Sequence, residues 1–150
     1  MSLNQPQSLP HIERVLFLLV VFTYASFFSI GEWNQASRYD AIFATVENQD
    51  PEVPMFSIDA FIQSPQKNFN TGDWSFYNGH YYSNKAPGTT LLGVIVYYPL
   101  YIIEKYVINI DIESEHVTLF NCWVLNLLIS ILPLAFASIC LFRLIFFLKK

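Results

Sequence analysis

The sequence predicts an all-α membrane protein: two transmembrane helices with an extracytoplasmic loop and an interfacial (juxtamembrane) helix between them. Three observations predict it. The composition is 53% hydrophobic and 17% aromatic with only 13% charged residues, too apolar for an ordinary soluble domain. Two runs, residues 15–31 and 117–142, carry no charge and reach the roughly 17–25 residues that a helix needs to cross a bilayer. Between them the composition changes, with charged residues and Gly, Asn, Ser and Pro punctuation over 32–84. The net charge of −4 and the lack of a basic stripe exclude a nucleic-acid-binding surface.

Taken in order, residues 1–10 are polar with two prolines and read as a disordered stretch within a cytoplasmic tail, 1–14. "VLFLLVVFTYASFFSIG", 15–31, is the first span. A signal peptide is its rival, but no small-x-small cleavage pattern follows, and Trp33 sits where an interfacial anchor would. Residues 32–87 form the extracytoplasmic loop. Within it, "QASRYDAIFATVEN" places Tyr39, Ile42, Phe43 and Val46 on one helical face, and "DPEVP" ends that helix. "MFSIDAFI" reads as a short strand or extended segment. "NTGDWSFYNGHYYSN" carries turn signals at Thr71-Gly72-Asp73 and at Asn78-Gly79, the latter a hairpin signal between aromatics.

The next apolar stretch, 91–103, is only 13 residues long and contains Pro99. That length suits an interfacial or re-entrant helix, 88–105, better than a span. An acidic loop, 106–116, holds Asp111, Glu113 and Glu115, and the second span, 117–142, leads to a basic end, 143–150. Cys122 and Cys140 both lie on this last helix. At about 1.5 Å per residue they are roughly 27 Å apart and cannot pair with each other, so both read as small buried apolar residues.

Charge decides the topology. If 88–105 spanned, the acidic loop would be cytoplasmic and the basic end outside, against the positive-inside rule. If it lies along the surface, Arg14 and the basic end are both cytoplasmic and everything from Glu32 to His116 is extracytoplasmic. The second arrangement is the expectation, and it places the chain in the inner (plasma) membrane.

"SRYDAIFA" and "YYSNKAPGTTLL", set after a first span and at the opening of an apolar helix, carry a resemblance. The chain resembles the N-terminal part of C-type polytopic membrane glycosyltransferases, the group of the protein O-mannosyltransferases and the aminoarabinose transferases of lipid A. In the latter, an acidic pair precedes "RYAEIA" and a "Y-F-E-K-P-P-L" stretch opens the next helix. Lys85 falls on that lysine and Pro87 on the second proline. "FSIDAFI" and "TGDWSFYNGHYYSNKAPG" look more like a bacterial branch of uncharacterised glycosyltransferase-like membrane proteins. The resemblance covers most of 15–150. It departs in two places: Gln35 and Ala36 stand where the acidic pair is expected, and such enzymes have many more spans. The resemblance therefore implies the N-terminal module, by its shortness a fragment, of an enzyme that takes a sugar from a polyprenyl-phosphate donor on the extracytoplasmic side. Alone, it would be incomplete as a catalyst. A small non-enzymatic membrane subunit, whose aromatic outer loop binds a partner or glycan, is the competing expectation.

Such a transfer needs a carboxylate to take the acceptor's proton and cations to stabilise the leaving phosphate. Apart from Lys67, the outer-loop cations are Lys85 and Arg38. Lys85 is the phosphate candidate because the Ala-Pro-Gly turn would fix it at headgroup level, and Arg38 could add a bidentate clamp. Snorkelling and a surface pair with Asp40 or Glu47 are the ordinary alternatives. Glu32, Asp40, Asp59 and Asp73 compete as base. Asp40 and Asp59 lead, Asp59 because burial in "FSIDAFI" would raise its pKa, whereas Asp73 sits in a ready turn. Trp74, Tyr81 and Tyr82, beside Phe76 and Tyr77, are the sugar-stacking candidates. Some relatives use a divalent metal, for which His80 and Asp73 are weak ligand candidates; one histidine and one carboxylate do not make a ligand set.

Overall fold

The computed structural model describes residues 9–29, 32–48, 50–63 and 71–148. The chain is mostly helical (72%), and among the described residues two helical runs are long and apolar enough, by length and composition, to cross a membrane. The order is α1 (Leu9–Ser26), α2 (Trp33–Glu47), α3 (Asp59–Gln63), β1 (Trp74–Tyr77), β2 (His80–Ser83), α4 (Pro87–Ile102), α5 (Glu115–Asn126) and α6 (Leu132–Leu148). π-Helical turns at Ile103–Ile108 and Leu127–Ile131 extend α4 and join α5 to α6. The second of these turns lies immediately before Pro133, whose ring and missing N–H disrupt regular α-helical bonding. The helical runs are therefore 22 residues, Pro87–Ile108, and 34 residues, Glu115–Leu148. At 1.5 Å per residue they measure about 33 and 51 Å, against a hydrocarbon core of about 30 Å.

Two compact units divide the chain, Met1–Phe28 with Asn126–Lys150, and Ser29–Leu125. In the first, α1 packs on α6. Phe17 meets Phe136 edge-on, with ring centroids 5.2 Å apart, and Arg143 grips Glu13 with two bonds of 2.7 and 2.6 Å. Advancing along α1 means retreating along α6, so the two are antiparallel, and the start of α1 lies at the same end as the finish of α6. The remaining surface is apolar, with Leu18, Phe22, Leu141 and Phe147 exposed. Helix α1 departs from the expected 15–31 at both ends: it begins earlier, taking in His11, Glu13 and Arg14, and stops at Ser26, short of Phe27, Phe28 and Ser29. It is not one of the two long apolar runs. Residues 30–31 and Lys149–Lys150 of the expected segments lie outside the described residues.

In the second unit, α2 packs along α4. Gly93 makes the approach feasible: a Cβ there would meet the Ile42 Cδ1 at 2.2 Å. Ala36, Tyr39, Ile42 and Phe43 of α2 join Tyr97 and Tyr101 of α4, Ile58, Phe61, and Cys122 and Leu125 of α5 in the core. Phe43 and Tyr97 meet in a T-shaped contact at 4.7 Å. The expected face of α2 is there, although Val46 is only half-buried and the polar Ser37 and Asp40 are fully buried.

Three expectations change. The class is not purely α, because β1 and β2 form an antiparallel hairpin in the register Trp74↔Ser83 to Tyr77↔His80. Asn78 and Gly79 at its turn have φ of 50° and 88°, the paired left-handed conformations that suit the strands' twist. "MFSIDAFI" is not a strand: Ser57 makes one bridge to Tyr82, and α3 starts at Asp59. The helix expected over 88–105, read as too short for a span from its 13 apolar residues, runs over Pro87–Ile108 and continues through Pro99. By length and composition it is long and apolar enough to cross a membrane. Tyr97 and Tyr101, on either side of that proline, are both buried, and their packing holds the helix through it.

Candidate functional site

Lys85 stands two residues before α4, after Asn84 and ahead of the Ala86 that caps the helix. Pro87 suits the first helical position because its missing N–H would have no partner there. The Ala86 side chain gives no capping bond, which leaves the amides of Gly88 and Thr89 directed toward the helix start. The lysine ammonium pairs with Asp73 across the open end of the hairpin and its side chain is 19% exposed.

Asp73 is itself fixed at several atoms. Asn84 Nδ2 donates to its Oδ1 at 3.0 Å. Its backbone N–H donates to the Thr71 hydroxyl at 3.1 Å, and its backbone carbonyl accepts from the Ser37 hydroxyl at 2.6 Å. Lys85 and then Asn84 hold its carboxyl below the usual range. Thr71 bonds on to the Trp33 carbonyl at 2.9 Å, so α2, hairpin and lysine are tied together. Of these supports only the Thr-Gly-Asp turn was signalled in the sequence. Ser37, Ser83 and Asn84 gave no such signal, because their partners are 11 to 46 positions away.

The two leading base candidates are placed differently. Asp40 is 0% exposed, and among the described residues neither carboxylate oxygen has a hydrogen-bond partner. Burial pushes its carboxyl up to about 8. Of the surface pairs set as the ordinary alternative for Arg38, the one with Asp40 is not formed; Arg38 is half-buried, and its Nε also has no partner among the described residues. Asp59 reverses the expectation of a raised pKa. Burial does pull it upward, but the Tyr81 amide, the His80 ring and the Ser57 hydroxyl together hold it below the ordinary value. Tyr81 N–H reaches its Oδ1 at 2.6 Å and His80 Nδ1 its Oδ2 at 2.6 Å.

His80 is thus committed to Asp59 at the turn end of the hairpin, and Asp73 to Lys85 at the open end. The metal pairing of His80 with Asp73 is not assembled, and among the described residues no group of three His, Cys, Asp or Glu side chains is placed to hold an ion. Strand alternation also splits the aromatic candidates. Trp74 and Phe76 lie on the face of Tyr81, with ring centroids 4.8 and 4.9 Å from it, while Tyr82, opposite Ser75, belongs to the other face. Lys67 lies outside the described residues.

The residues brought together are therefore Lys85, Asp73 and Asn84 at the threshold of α4, from which Leu91, Leu92 and Ile95 are exposed. A cation near uncapped helical amides has the chemistry to hold an anion, and exposed leucines and isoleucine have the chemistry to hold an apolar body. No family model, curated protein or solved structure matches this chain.

Proposed function

We propose that the chain is the N-terminal module of a glycosyltransferase-like integral membrane protein, with Lys85 receiving the phosphate of a polyprenyl-phosphate sugar donor on the extracytoplasmic side. The observation that carries this reading is the placement of Lys85 before an uncapped α4 whose next turns expose Leu91, Leu92 and Ile95. A lipid phosphate requires that combination, with a cation and N–H donors for the head and an apolar surface for the tail.

In this reading α1 and α6 are the spans. Their antiparallel packing supports a topology with both basic ends on the cytoplasmic side. Helix α4 lies along the outer surface. Its Gly93 and Tyr97 face is covered by α2, a helix that carries Arg38, Asp40 and Glu47, while Ile95 and Tyr98 face outward to lipid. Single cysteines at Ser83 and Ser114, with Cys122 and Cys140 replaced, test this topology. Both are expected to react with a membrane-impermeant thiol reagent from outside. Reaction of Ser83→Cys from outside and Ser114→Cys from inside only would make α4 a span and overturn the surface placement.

A non-enzymatic subunit is the second reading, favoured by the Trp74–Phe76–Tyr81 cluster, in which Phe76 is 59% exposed. Such a cluster offers stacking faces to a glycan or partner. The two readings divide on Lys85, which the subunit does not need.

A further inference from the structure

The Lys85–Asp73 pair imposes a charge condition on the anion that Lys85 receives. Asp73 is held beside the lysine, because Asn84 donates to its other carboxylate oxygen and Thr71 and Ser37 anchor its backbone. An arriving phosphate therefore meets a lysine whose charge is already balanced, with a carboxylate on the same ammonium to repel it. Repulsion from Asp73 grows with the ligand's charge. A phosphodiester carries one negative charge, whereas a phosphomonoester carries between one and two near neutral pH, its second ionisation lying near 6.

We propose that Asp73 is a specificity-determining residue that tunes the Lys85 site to lipid-linked phosphodiesters and against phosphomonoesters and free phosphate. The proposal rests on the reading of Lys85 as a phosphate-binding residue. It gives Asp73 a part in turnover. Transfer breaks the bond between the sugar's anomeric carbon and the phosphate oxygen and forms one to the acceptor oxygen, while the acceptor's proton passes to solvent. The bonding electrons stay on the phosphate, so a diester donor becomes a monoester product of higher charge. Asp73 accordingly favours loading of the donor and release of the spent carrier. The lipid's tail on the exposed Leu91, Leu92 and Ile95 supplies the affinity that the balanced pair withholds from a soluble anion.

The test is native mass spectrometry of the full chain in detergent, titrated with phosphatidylglycerol (a diester) and phosphatidic acid (a monoester) of identical acyl chains, with inorganic phosphate as competitor. The wild-type chain is expected to prefer phosphatidylglycerol and to lose neither lipid to an equal concentration of phosphate. Asp73→Asn is expected to tighten phosphatidylglycerol roughly fivefold and phosphatidic acid roughly twentyfold, since a second charge doubles the electrostatic energy relieved. Asp73→Glu keeps the charge and is expected to keep the wild-type ratio. The ratio of the two lipids within one preparation does not depend on the fraction folded. An unchanged ratio in Asp73→Asn, weaker binding of both lipids, or displacement of lipid by free phosphate overturns the proposal. Lys85→Ala separates it from the reading beneath: unaltered phosphatidylglycerol binding there removes the phosphate site itself. Loss of binding in Lys85→Ala with an unchanged ratio in Asp73→Asn removes only the role of Asp73.

Discussion

At the residue scale, Asp40 is the most consequential side chain outside the lysine site. Its carboxyl is buried without a hydrogen-bond partner among the described residues, and burial lifts its pKa from 3.8 to about 8. The folded state therefore keeps a proton that the unfolded chain releases above about 4. Stability is unpenalised below the unfolded value and falls as pH rises toward the folded value, because the unfolded state binds fewer protons across that window. The accumulated loss is on the order of 2–5 kcal/mol. Asp40→Asn preserves the shape without the ionisation and should flatten the decline of Tm between pH 5 and pH 8. A variant whose Tm falls as steeply as that of the wild type would assign the slope to other groups. Asp59 has the opposite character. Its pKa lies below the ordinary value, so its contribution is present above the unfolded pKa and is lost only on acidification through the folded one.

The carboxylates also show why residue type alone did not rank the site. Asp40 and Asp59 both stand in apolar surroundings in the sequence, "YDAIF" and "SIDAF". What separates them is the donor supply: Tyr81, His80 and Ser57 converge on Asp59, and no described donor reaches Asp40. Ser57 is a neighbour in the chain, but His80 and Tyr81 come from the hairpin, 21 and 22 positions along. A local pattern does not hold such information.

At the scale of elements, the contact between α2 and α4 depends on Gly93. Alanine there gains helix propensity of about 1 kcal/mol, but its Cβ would overlap Ile42 at 2.2–2.5 Å, beyond what a small shift absorbs. Gly93→Ala should therefore be a net destabilisation of about 1–3 kcal/mol by overpacking. Ile42→Ala costs about 2–5 kcal/mol by itself, and combined with Gly93→Ala it should destabilise by less than the sum of the two single changes. Strict additivity in the double variant would mean that the two residues do not share the contact. The hairpin, by contrast, was legible from Asn78-Gly79 because the turn's left-handed backbone is a local demand. The extent of α4 was not, since the uninterrupted apolar stretch 91–103 marks only 13 residues, whereas the helical run covers Pro87–Ile108 with Tyr97 and Tyr101 buried on either side of Pro99.

At the scale of the whole molecule, the antiparallel arrangement within the first unit is the testable feature. The pair Phe17→Cys and Phe136→Cys, with Cys122 and Cys140 replaced, should crosslink efficiently with a short bifunctional thiol reagent, because the ring centroids are 5.2 Å apart. Phe17→Cys with Ile145→Cys should not, since those nine further residues along α6 carry the second site about 13 Å away. Crosslinking of the second pair alone would require a different register. The bidentate Glu13–Arg143 bond fixes the same register from the polar end.

By itself the sequence determined the apolar runs, the helical face of α2, the Asn78-Gly79 hairpin turn and the position of Lys85 at the opening of α4. Each depends on interactions within a few turns of the chain, where periodicity and turn chemistry are decisive. Only the tertiary structure decided that Asp73 is the carboxylate on Lys85, that His80 belongs to Asp59 rather than to a metal pair, and that Asp40 is sealed. Hydrogen bonds and burial at those positions are set by groups far apart in sequence, brought together when α2, the hairpin and α4 pack.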